Sequence, residues 1–475
     1  MPDLRRQIFE SGKTVSRKAA SREASRATSR ASSKPTSRQS SRAASRQPSD
    51  EEDAGYLSDE TAMSIGSIDD ENPEQDNIDW PQELADRIQE ILDRKRSSVQ
   101  GREEALAAFC RLTKYHYAVE EVYASVVDLL GAFSKSARSD SSIREMTLAL
   151  RAIELLAITA SDDKIYENIE PFLSRTIRDS SSNAVKAAAI QSLAACTIFG
   201  GAGEDGILDQ MTFLLDIVAS DGNSINAADD PVSVTAALQA WGFLVTEIDD
   251  FEDESEEAVQ IFMDQLDSSD SAVQIAAGEN IALLYEKSYT PQEDDDDEDE
   301  DSEESDEHET ASSGPKLVKR YNAYHNTPEL ERQLQNLAHI HSKQISKRDK
   351  KSLHSSFASI LTTVENPRRG PRYNMAINQD TNQHYGSTLS VKIGRHGIMS
   401  IDRWWKWTRL TALRRTLQGG FTEHYYQGNR AVLNNLPVML RNTDHSHGVD
   451  RQGAKKAAKM RNSRRWTAHE SDEED

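Results

Sequence analysis

The sequence predicts a mainly α-helical protein. We expect an armadillo/HEAT-like α-solenoid, followed by a small basic, mostly helical C-terminal domain with a β-hairpin, and long disordered segments. Three observations predict this organisation. Apolar residues recur at helical spacing through the middle of the chain, strand-like alternation is almost absent there, and the sign of the charge changes sharply between segments. Of the 475 residues, 29% are charged and 36% are hydrophobic, which is low for a wholly globular chain.

Residues 1–79 are predicted to be a disordered tail in two parts. Residues 1–48 carry 12 Lys/Arg, 3 Asp/Glu and repeated Ser-Arg pairs, with too few large apolar side chains to offset the entropy of ordering. Residues 50–79 carry 12 acids and no base. We interpret the first part as a solvated tail. The alternatives are a basic arm switched by phosphorylation and a transit peptide, although no amphipathic face supports the latter. Ser49 and Ser58 precede acidic runs and are candidate phosphorylation sites.

Residues 80–290 are predicted to be the repeat domain. Pro81 suits a first helical turn, where its missing N–H has no partner to lose. A weak repeat follows, in which a short polar stretch and an aliphatic residue precede an Ala/Leu-rich helix. The aliphatic residues are Val99, Ile143, Val185, Val234 and Val273, at steps of 44, 42, 49 and 39. A step near 40 with two helices per unit is typical of armadillo and HEAT solenoids. An irregular helical bundle is the alternative.

The charge of the repeat domain makes it a poor nucleic-acid surface in its own right. Residues 80–292 carry 16 Lys/Arg and 37 Asp/Glu, so a protein partner or a basic tail suits this domain better. A transport-receptor-like solenoid is a further alternative, but it does not explain the basic half of the chain. Residues 291–315 are predicted to be an acidic, disordered linker, which holds the candidate phosphorylation sites Ser302 and Ser305.

Residues 316–440 are predicted to be the basic C-terminal domain. Two helical stripes begin near residues 328 and 347, and residues 367–385 lack periodicity, so we expect an irregular loop there. Alternation between residues 389 and 401 predicts a small β-hairpin. Asp402 is placed to cap the helix that follows, because its carboxylate can accept early backbone N–H bonds.

The basic half also carries most of the tryptophans. Residues 316–466 hold 28 Lys/Arg against 9 Asp/Glu and four of the six tryptophans. Rings flanked by cations suit stacking on bases and contact with phosphates, although the tryptophans at 404, 405 and 407 could instead be core residues. The candidate RNA- or ribosome-binding residues are Lys347, Arg348, Lys350, Lys351, Arg403, Trp404, Trp405, Lys406, Trp407, Arg409, Arg414, Arg415, Lys455, Lys456, Lys459, Arg461, Arg464, Arg465 and Trp466. Residues 441–475 are predicted to be a basic tail helix with an acidic end, which contains the candidate phosphorylation site Ser471.

Catalytic motifs are absent from the sequence. It contains no Walker loop, nucleophile elbow or HExxH, so we expect a non-enzyme that needs no cofactor or small-molecule substrate. Gly200 to Gly203 follow a helical pattern and predict an inter-helix loop. Asp444, His445 and His447 lack further ligands at metal-site spacing, which favours a polar loop over a metal site.

The two cysteines and the absence of a long apolar run indicate the kind of compartment in which the protein works. Cys110 and Cys196 lie in apolar helical patterns, where we expect buried free thiols and therefore a reducing compartment. The best apolar run, residues 148–158, is interrupted by charge and too short to span a bilayer. We therefore expect no membrane partner.

Three blocks of the sequence resemble the interferon-related developmental regulator family. The first covers residues 346–361, the second covers residues 402–429 and includes Trp404-Trp405-Lys406-Trp407, and the third is the basic run at 455–465. The resemblance implies an armadillo-like N-terminal domain and a non-enzyme. Members of the family are described as transcriptional co-regulators acting through protein partners. They are also associated with idle ribosomes, where a C-terminal helix occupies the mRNA path.

The sequence and this resemblance together predict a ribosome-binding translational regulator. The expected partners are rRNA and ribosomal proteins, and the expected location is the cytoplasm, with the nucleus as a further location. A basic helix rich in Ala, Lys and Arg would suit an RNA-lined channel. The alternative is a nuclear transcriptional co-regulator that scaffolds transcription regulators through the helical repeats.

Overall fold

The structure is a computed structural model, which describes residues 55–56, 79–94, 97–139, 141–292, 317–339, 347–378, 383–393 and 397–436. All of these lie within one unit that begins at Ala54. The predicted tail, apart from residues 55–56 and 79, lies outside the described residues. So do the linker from residue 293 to 315 and the whole of residues 441–475, with the five candidate phosphorylation serines.

The repeat part is a succession of paired helices. They are α1 (Trp80–Leu92), α2 (Val99–Tyr115), α3 (Val119–Val122), α4 (Val126–Ala137), α5 (Ile143–Ala160), α6 (Ile165–Asp179), α7 (Asn183–Phe199), α8 (Glu204–Ala219), α9 (Pro231–Val245), α10 (Glu252–Gln265), α11 (Ser271–Lys287), α12 (Thr327–Ala338) and α13 (Lys347–Glu365). Pro81 lies in the first turn of α1, as expected.

The helices form a solenoid, which confirms the predicted fold class. The second helices of the pairs, α2, α5, α7, α9, α11 and α13, pack side by side in chain order. The first helices, α1, α4, α6, α8, α10 and α12, each pack against the second helix of their own pair. Their apolar faces form one continuous core, because no single pair can bury its own face.

The polar stretch before four of the five repeated aliphatic residues supplies a side-chain helix cap, the exception being Ser182 before α7. Ser98 Oγ accepts a hydrogen bond from the Gly101 N–H at 3.0 Å, and Asp230 Oδ2 accepts one from the Ser233 N–H at 2.8 Å. Asp270 Oδ1 caps α11 in the same way, at 2.8 Å from the Ala272 nitrogen. The repeat detected in the sequence is therefore the start of the second helices α2, α5, α7, α9 and α11.

The pair α12–α13 adds a sixth unit beyond the acidic linker. Leu330, Leu334 and Leu337 of α12 are buried, as the first helical stripe predicts. Helix α13 packs against α11, where a Cβ added to Gly278 would lie 2.7 Å from Ile360 Cδ1. Strand β2 (Tyr289–Pro291) pairs antiparallel with β3 (Leu317–Lys319), which joins the two ends of the linker.

Two β-hairpins follow α13. Strands β4 (Tyr373–Asn378) and β5 (Gln383–Ser387) pair antiparallel, so the expected irregular loop at 367–385 is wrong. The pairing register of these two strands shifts between Asn374 and Ile377. Strands β6 (Leu389–Ile393) and β7 (Gly397–Ser400) form the predicted hairpin. The short strand β1 (Gly55–Tyr56) adds to it in parallel.

The described residues end in three helices, α14 (Trp404–Leu417), α15 (Phe421–Tyr426) and α16 (Arg430–Asn435). Cys110 and Cys196 are free and buried, as expected, and burial raises the pKa of the Cys110 thiol to about 12. Residues 200–203 form the predicted inter-helix loop. In the part of the chain that the structure describes, no helix combines the length and apolarity needed to cross a bilayer.

Candidate nucleic-acid interface

The tryptophan-bearing helix α14 lies across the second helices of the solenoid. It contacts α11, α9, α5 and α2, and α15 then contacts α2. The helix therefore runs from late repeats back toward the first one. Several side chains expected to face RNA are used in this packing.

The N-terminus of α14 is capped by the solenoid. Both carboxylate oxygens of Glu286 on α11 accept backbone hydrogen bonds, from the Trp404 N–H at 2.8 Å and the Trp405 N–H at 3.1 Å. A carboxylate at a helix N-terminus also interacts favourably with the helix dipole. The expected cap by Asp402 is wrong, because its side chain is exposed and binds Lys406 Nζ at 2.5 Å instead.

Trp404 is a core residue. Only 2% of it is exposed, and its Nε1–H donates to Thr363 Oγ1 of α13 at 2.7 Å. A ring in this position cannot stack on a base, so the core alternative considered for the tryptophans holds for Trp404. Trp407 is half-buried, and its Nε1–H donates to Glu279 Oε1 at 3.1 Å. Trp405 is also half-buried, with the Arg409 guanidinium carbon 5.3 Å from its ring centroid.

Two arginines of α14 bind the solenoid rather than solvent. Arg409 Nη2 forms an ion pair with Glu247 Oε1 at 2.7 Å and donates to the Thr246 carbonyl at 2.7 Å. Arg415 Nη1 donates to Gln239 Oε1 at 2.9 Å. Burial lowers the pKa of Arg415 to about 10, which leaves it protonated at neutral pH. Neither guanidinium is free for phosphate in this conformation.

The C-terminal end of α14 is fixed on α5. Arg151 donates to the carbonyl oxygens of Arg415 and Thr416, the first at 2.8 Å, and so satisfies acceptors that a helix end leaves without intrahelical partners. Arg151 also pairs with Glu154, which accepts a hydrogen bond from the Thr416 hydroxyl. In α15, the His424 Nε2 lies 3.0 Å from the Thr113 carbonyl oxygen of α2.

Burial beneath α14 perturbs two solenoid carboxyls. It raises the pKa of both Glu279 and Glu286 to about 7, although the hydrogen bonds from Trp407 and Trp404 act in the opposite direction. Together with Glu154 and Glu247, these carboxylates give α14 an acidic seat. The sequence contains one signal of this seat: Glu279 and Glu286 occupy an otherwise Ala- and Leu-rich second helix.

The other candidate residues remain at the surface or outside the described residues. Lys351 is exposed, and Lys350, Arg403, Lys406 and Arg414 are partly exposed. Lys347 and Arg348 begin α13, and nothing of their side chains is described. The candidates Lys455, Lys456, Lys459, Arg461, Arg464, Arg465 and Trp466 all lie outside the described residues.

Sequence reasoning missed a second basic surface next to α14. Arg368 and Arg372 are exposed where the chain enters β4. The hairpin beyond them exposes three large apolar side chains, Met375, Ile377 and Tyr385. The arginines lie in a segment that predicts an irregular loop, so no periodicity marked them as part of one structure.

The model of the interferon-related developmental regulator family matches residues 39–365, more than two thirds of the chain. The chain belongs to this family. The match covers all six helix pairs and ends at Glu365, the last residue of α13. Of the three blocks that carry the resemblance, only residues 346–361 lie inside the match.

A relative in Schizosaccharomyces pombe is similar over most of its length. It is described as an uncharacterized protein and is 28% identical over 367 residues, which are 76% of each chain. Its name assigns no activity. Among the described residues of the present family member, no group of three His, Cys, Asp or Glu side chains is placed to hold a metal ion.

Proposed function

We propose that this protein is a non-enzymatic, ribosome-binding translational regulator that occupies idle ribosomes in the cytoplasm. Its basic tail, residues 455–465, would lie as a helix in the mRNA path. The partners would be rRNA and ribosomal proteins. Membership of the family supports this proposal together with the distribution of charge.

One observation carries the proposal. The acidic solenoid neutralises only a few of the cations in the basic half of the chain, those of α14 that contact it. Helix α14 satisfies the carboxylates of Glu247, Glu279 and Glu286. The described residues between 317 and 436 nevertheless contain 17 Lys/Arg against 6 Asp/Glu. Because the acidic seat pairs with few of these cations, an excess of positive charge remains. The basic tail comes after this region in the sequence. Such an excess favours a polyanion with closely spaced phosphates.

The alternative is a nuclear co-regulator that scaffolds transcription regulators through the repeats. Solenoids commonly offer the face lined by their second helices to partners. Here α14 lies on that face, across α11, α9, α5 and α2. A scaffold would therefore have to displace α14 or use another face, which makes this function the weaker candidate.

The proposal is tested by reversing charge in the tail of the full-length protein. Replacing Lys455, Lys456, Lys459 and Arg461 by Glu should abolish co-sedimentation with idle monosomes from starved cells, because phosphate contacts and counterion release are lost. Thermal unfolding of the protein should not change, since these residues lie beyond α16. Free like charges at i,i+4 also disfavour a helix in the unbound tail.

The matched control reverses four basic residues of the N-terminal tail, Arg17, Lys18, Arg22 and Arg26. It changes the net charge by the same amount and should leave monosome co-sedimentation intact. Wild-type levels of the tail variant on idle ribosomes would show that the tail does not plug the mRNA path. Recovery of the wild-type protein exclusively with chromatin would instead support the co-regulator.

A further inference from the structure

The segment between α13 and β6 forms a projecting, basic structure that the tail mechanism does not use. We define the hairpin arm as residues 368–378 and 383–387, which comprise the arginine-rich turn and strands β4 and β5. We propose that the hairpin arm binds unpaired RNA, with its arginines on phosphates and its rings on bases. This proposal rests on the proposed function, because it assigns a second rRNA contact to the same protein.

The base of the hairpin arm is firmly held. The Arg369 carbonyl accepts a hydrogen bond from Thr363 Oγ1 of α13 at 2.7 Å, and the Arg372 carbonyl accepts one from Thr388 Oγ1 at 2.9 Å. Ser387 Oγ donates to the Ile401 carbonyl at 2.8 Å. An added Cβ at Gly370 would lie 2.0 Å from the Asp402 carbonyl oxygen, so the turn packs directly on the start of α14. The arm is therefore positioned before any ligand arrives.

Beyond this base, the hairpin arm exposes large apolar side chains to solvent. Met375, Ile377 and Tyr385 are 51%, 57% and 52% exposed. A two-stranded hairpin is marginally stable alone, and large exposed apolar side chains on one commonly mark a binding surface. Because all three lie on one short hairpin, they form a candidate contact surface.

The chemistry of the hairpin arm favours RNA. Its described residues include Arg368, Arg369 and Arg372 and no Asp or Glu, and the intervening sequence adds only Asp380. The Arg369 guanidinium carbon lies 5.6 Å from the Tyr373 ring centroid, and the Tyr373 and His384 ring centroids are 6.4 Å apart. A guanidinium over one ring, with a second ring beside the first, offers planar groups on which unpaired bases can stack.

The test compares two double variants of the full-length protein. Arg372→Asn with Tyr385→Thr removes one cation and one exposed ring from the hairpin arm. Asn tolerates the φ of +52° at position 372, and Thr suits a strand. The control, Arg332→Asn with Tyr123→Thr, removes an exposed cation from α12 and a tyrosine that is 63% exposed.

RNA affinity is measured by fluorescence anisotropy with a labelled oligouridylate of about 12 nucleotides, which is long enough for one such site. Each measurement is made with the native tail and with the four tail charges reversed, so that RNA binding by the hairpin arm is separated from RNA binding by the tail. The arm variant should bind about tenfold more weakly, as expected when one stacked base is lost. The control should bind as wild type. Photo-crosslinking should place RNA on the tryptic peptide of residues 373–392.

Unchanged RNA affinity in the arm variant, or crosslinks confined to other peptides, would overturn the proposal. If the variant keeps its RNA affinity but loses a protein partner, the hairpin arm is a protein-docking surface and the proposal is also wrong. Ribosome pelleting separates the two proposals. If the wild-type protein binds the oligonucleotide through the hairpin arm but does not pellet with ribosomes, the arm proposal stands and the ribosome function falls.

Discussion

The second helices of the solenoid and helix α14 both bury apolar side chains, but their contacts differ in polarity and in distance along the sequence. In α9, apolar residues pack against the neighbouring second helices α7 and α11. Helix α14 instead makes polar contacts with residues far away in the sequence, for example from Trp404 to Glu286, 118 positions away, and from Thr416 to Glu154, 262 positions away. The repeats pack between near neighbours, whereas α14 buries Leu410, Leu413 and Leu417 and is also held by carboxylates and one arginine of distant repeats.

This difference teaches that basic and aromatic residues do not by themselves mark an RNA surface. Arg409, Arg415 and Trp404 suit nucleic acid by type, yet the structure uses them to fix α14 on the acidic seat. What distinguishes a residue that binds RNA from one that docks α14 is found on the solenoid, in the acidic residues of its second helices. Each of the following predictions tests this contrast between local apolar packing and long-range polar docking.

The largest effect is expected from Trp404→Ala. Removing a fully buried tryptophan leaves a cavity, which typically lowers the free energy of unfolding by about 3–5 kcal/mol, and here it also leaves Thr363 Oγ1 without the indole donor. Urea unfolding in the absence of RNA measures this loss. Trp405→Ala is the control, because Trp405 is only half-buried, and its effect should be clearly smaller. Equal unfolding midpoints for the wild type and Trp404→Ala would contradict the docking of α14.

A smaller effect, of about 1–3 kcal/mol, is expected from Gly278→Ala at the junction of the fifth and sixth repeats. The new Cβ would lie 2.7 Å from Ile360 Cδ1 and 3.0 Å from Phe357 Cε1, and both side chains are fully buried and have little room to move. Gly131→Ala is a matched control, because nothing lies within 4 Å of its Cβ and Ala favours a helix. Thermal unfolding should show opposite signs for the two variants. A stabilising Gly278→Ala would mean that α13 does not pack closely on α11.

The smallest effect is a dependence on pH at His424. Burial lowers the pKa of His424 to about 4, whereas in the unfolded chain it is near 6.5. Above pH 6.5 the ring is neutral in both states, and folding carries no cost of deprotonating it. The contribution of His424 to stability falls as the pH falls from about 6.5 toward 4, by about 1 kcal/mol between pH 7 and pH 5.5. Glu279 and Glu286 act in the opposite direction, because their raised pKa makes protonation favour the folded state as the pH falls through 7.

The contribution of His424 is therefore measured as a difference. Urea unfolding of the wild type and His424→Gln at pH 7 and pH 5.5 isolates it, since the other groups are common to both proteins. The glutamine amide can still donate to the Thr113 carbonyl. If both proteins lose the same stability between these pH values, His424 does not titrate as expected.

The sequence predicts the repeats well because their packing is local and periodic. Ile143 and Val234 lie at the start of second helices because a polar cap precedes each of them, and both features are visible within a few residues. The stripes of α12 and α13 are equally visible. Their role as a sixth pair is not, because residues 293–316 separate α11 from its packing partner in the sequence.

The candidate site is less predictable because its geometry depends on contacts across the chain. Nothing near Trp404 in the sequence indicates that Glu286 will cap its helix. The β4–β5 hairpin is hidden for a different reason. Met375 and Ile377 alternate with small or polar residues in β4, but both are exposed, and the facing strand, Gln383–Ser387, carries no matching apolar period. In both places, residue types indicate the chemistry, while the partner is set by tertiary structure.

The path of α14 has a consequence for how the array opens. In a linear array, each unit is held only by its neighbours, so the terminal units fray first and expose their amides to hydrogen exchange. Here the segment that starts on Glu286 of the fifth pair ends with His424 on Thr113 of the first. Fraying at the first pair would also have to break the contacts of α15. Because α15 directly follows α14 in the chain, its release would also disturb α14. The first and fifth pairs of the array are thus coupled through α14 and α15, so the first pair does not open as an independent terminal unit.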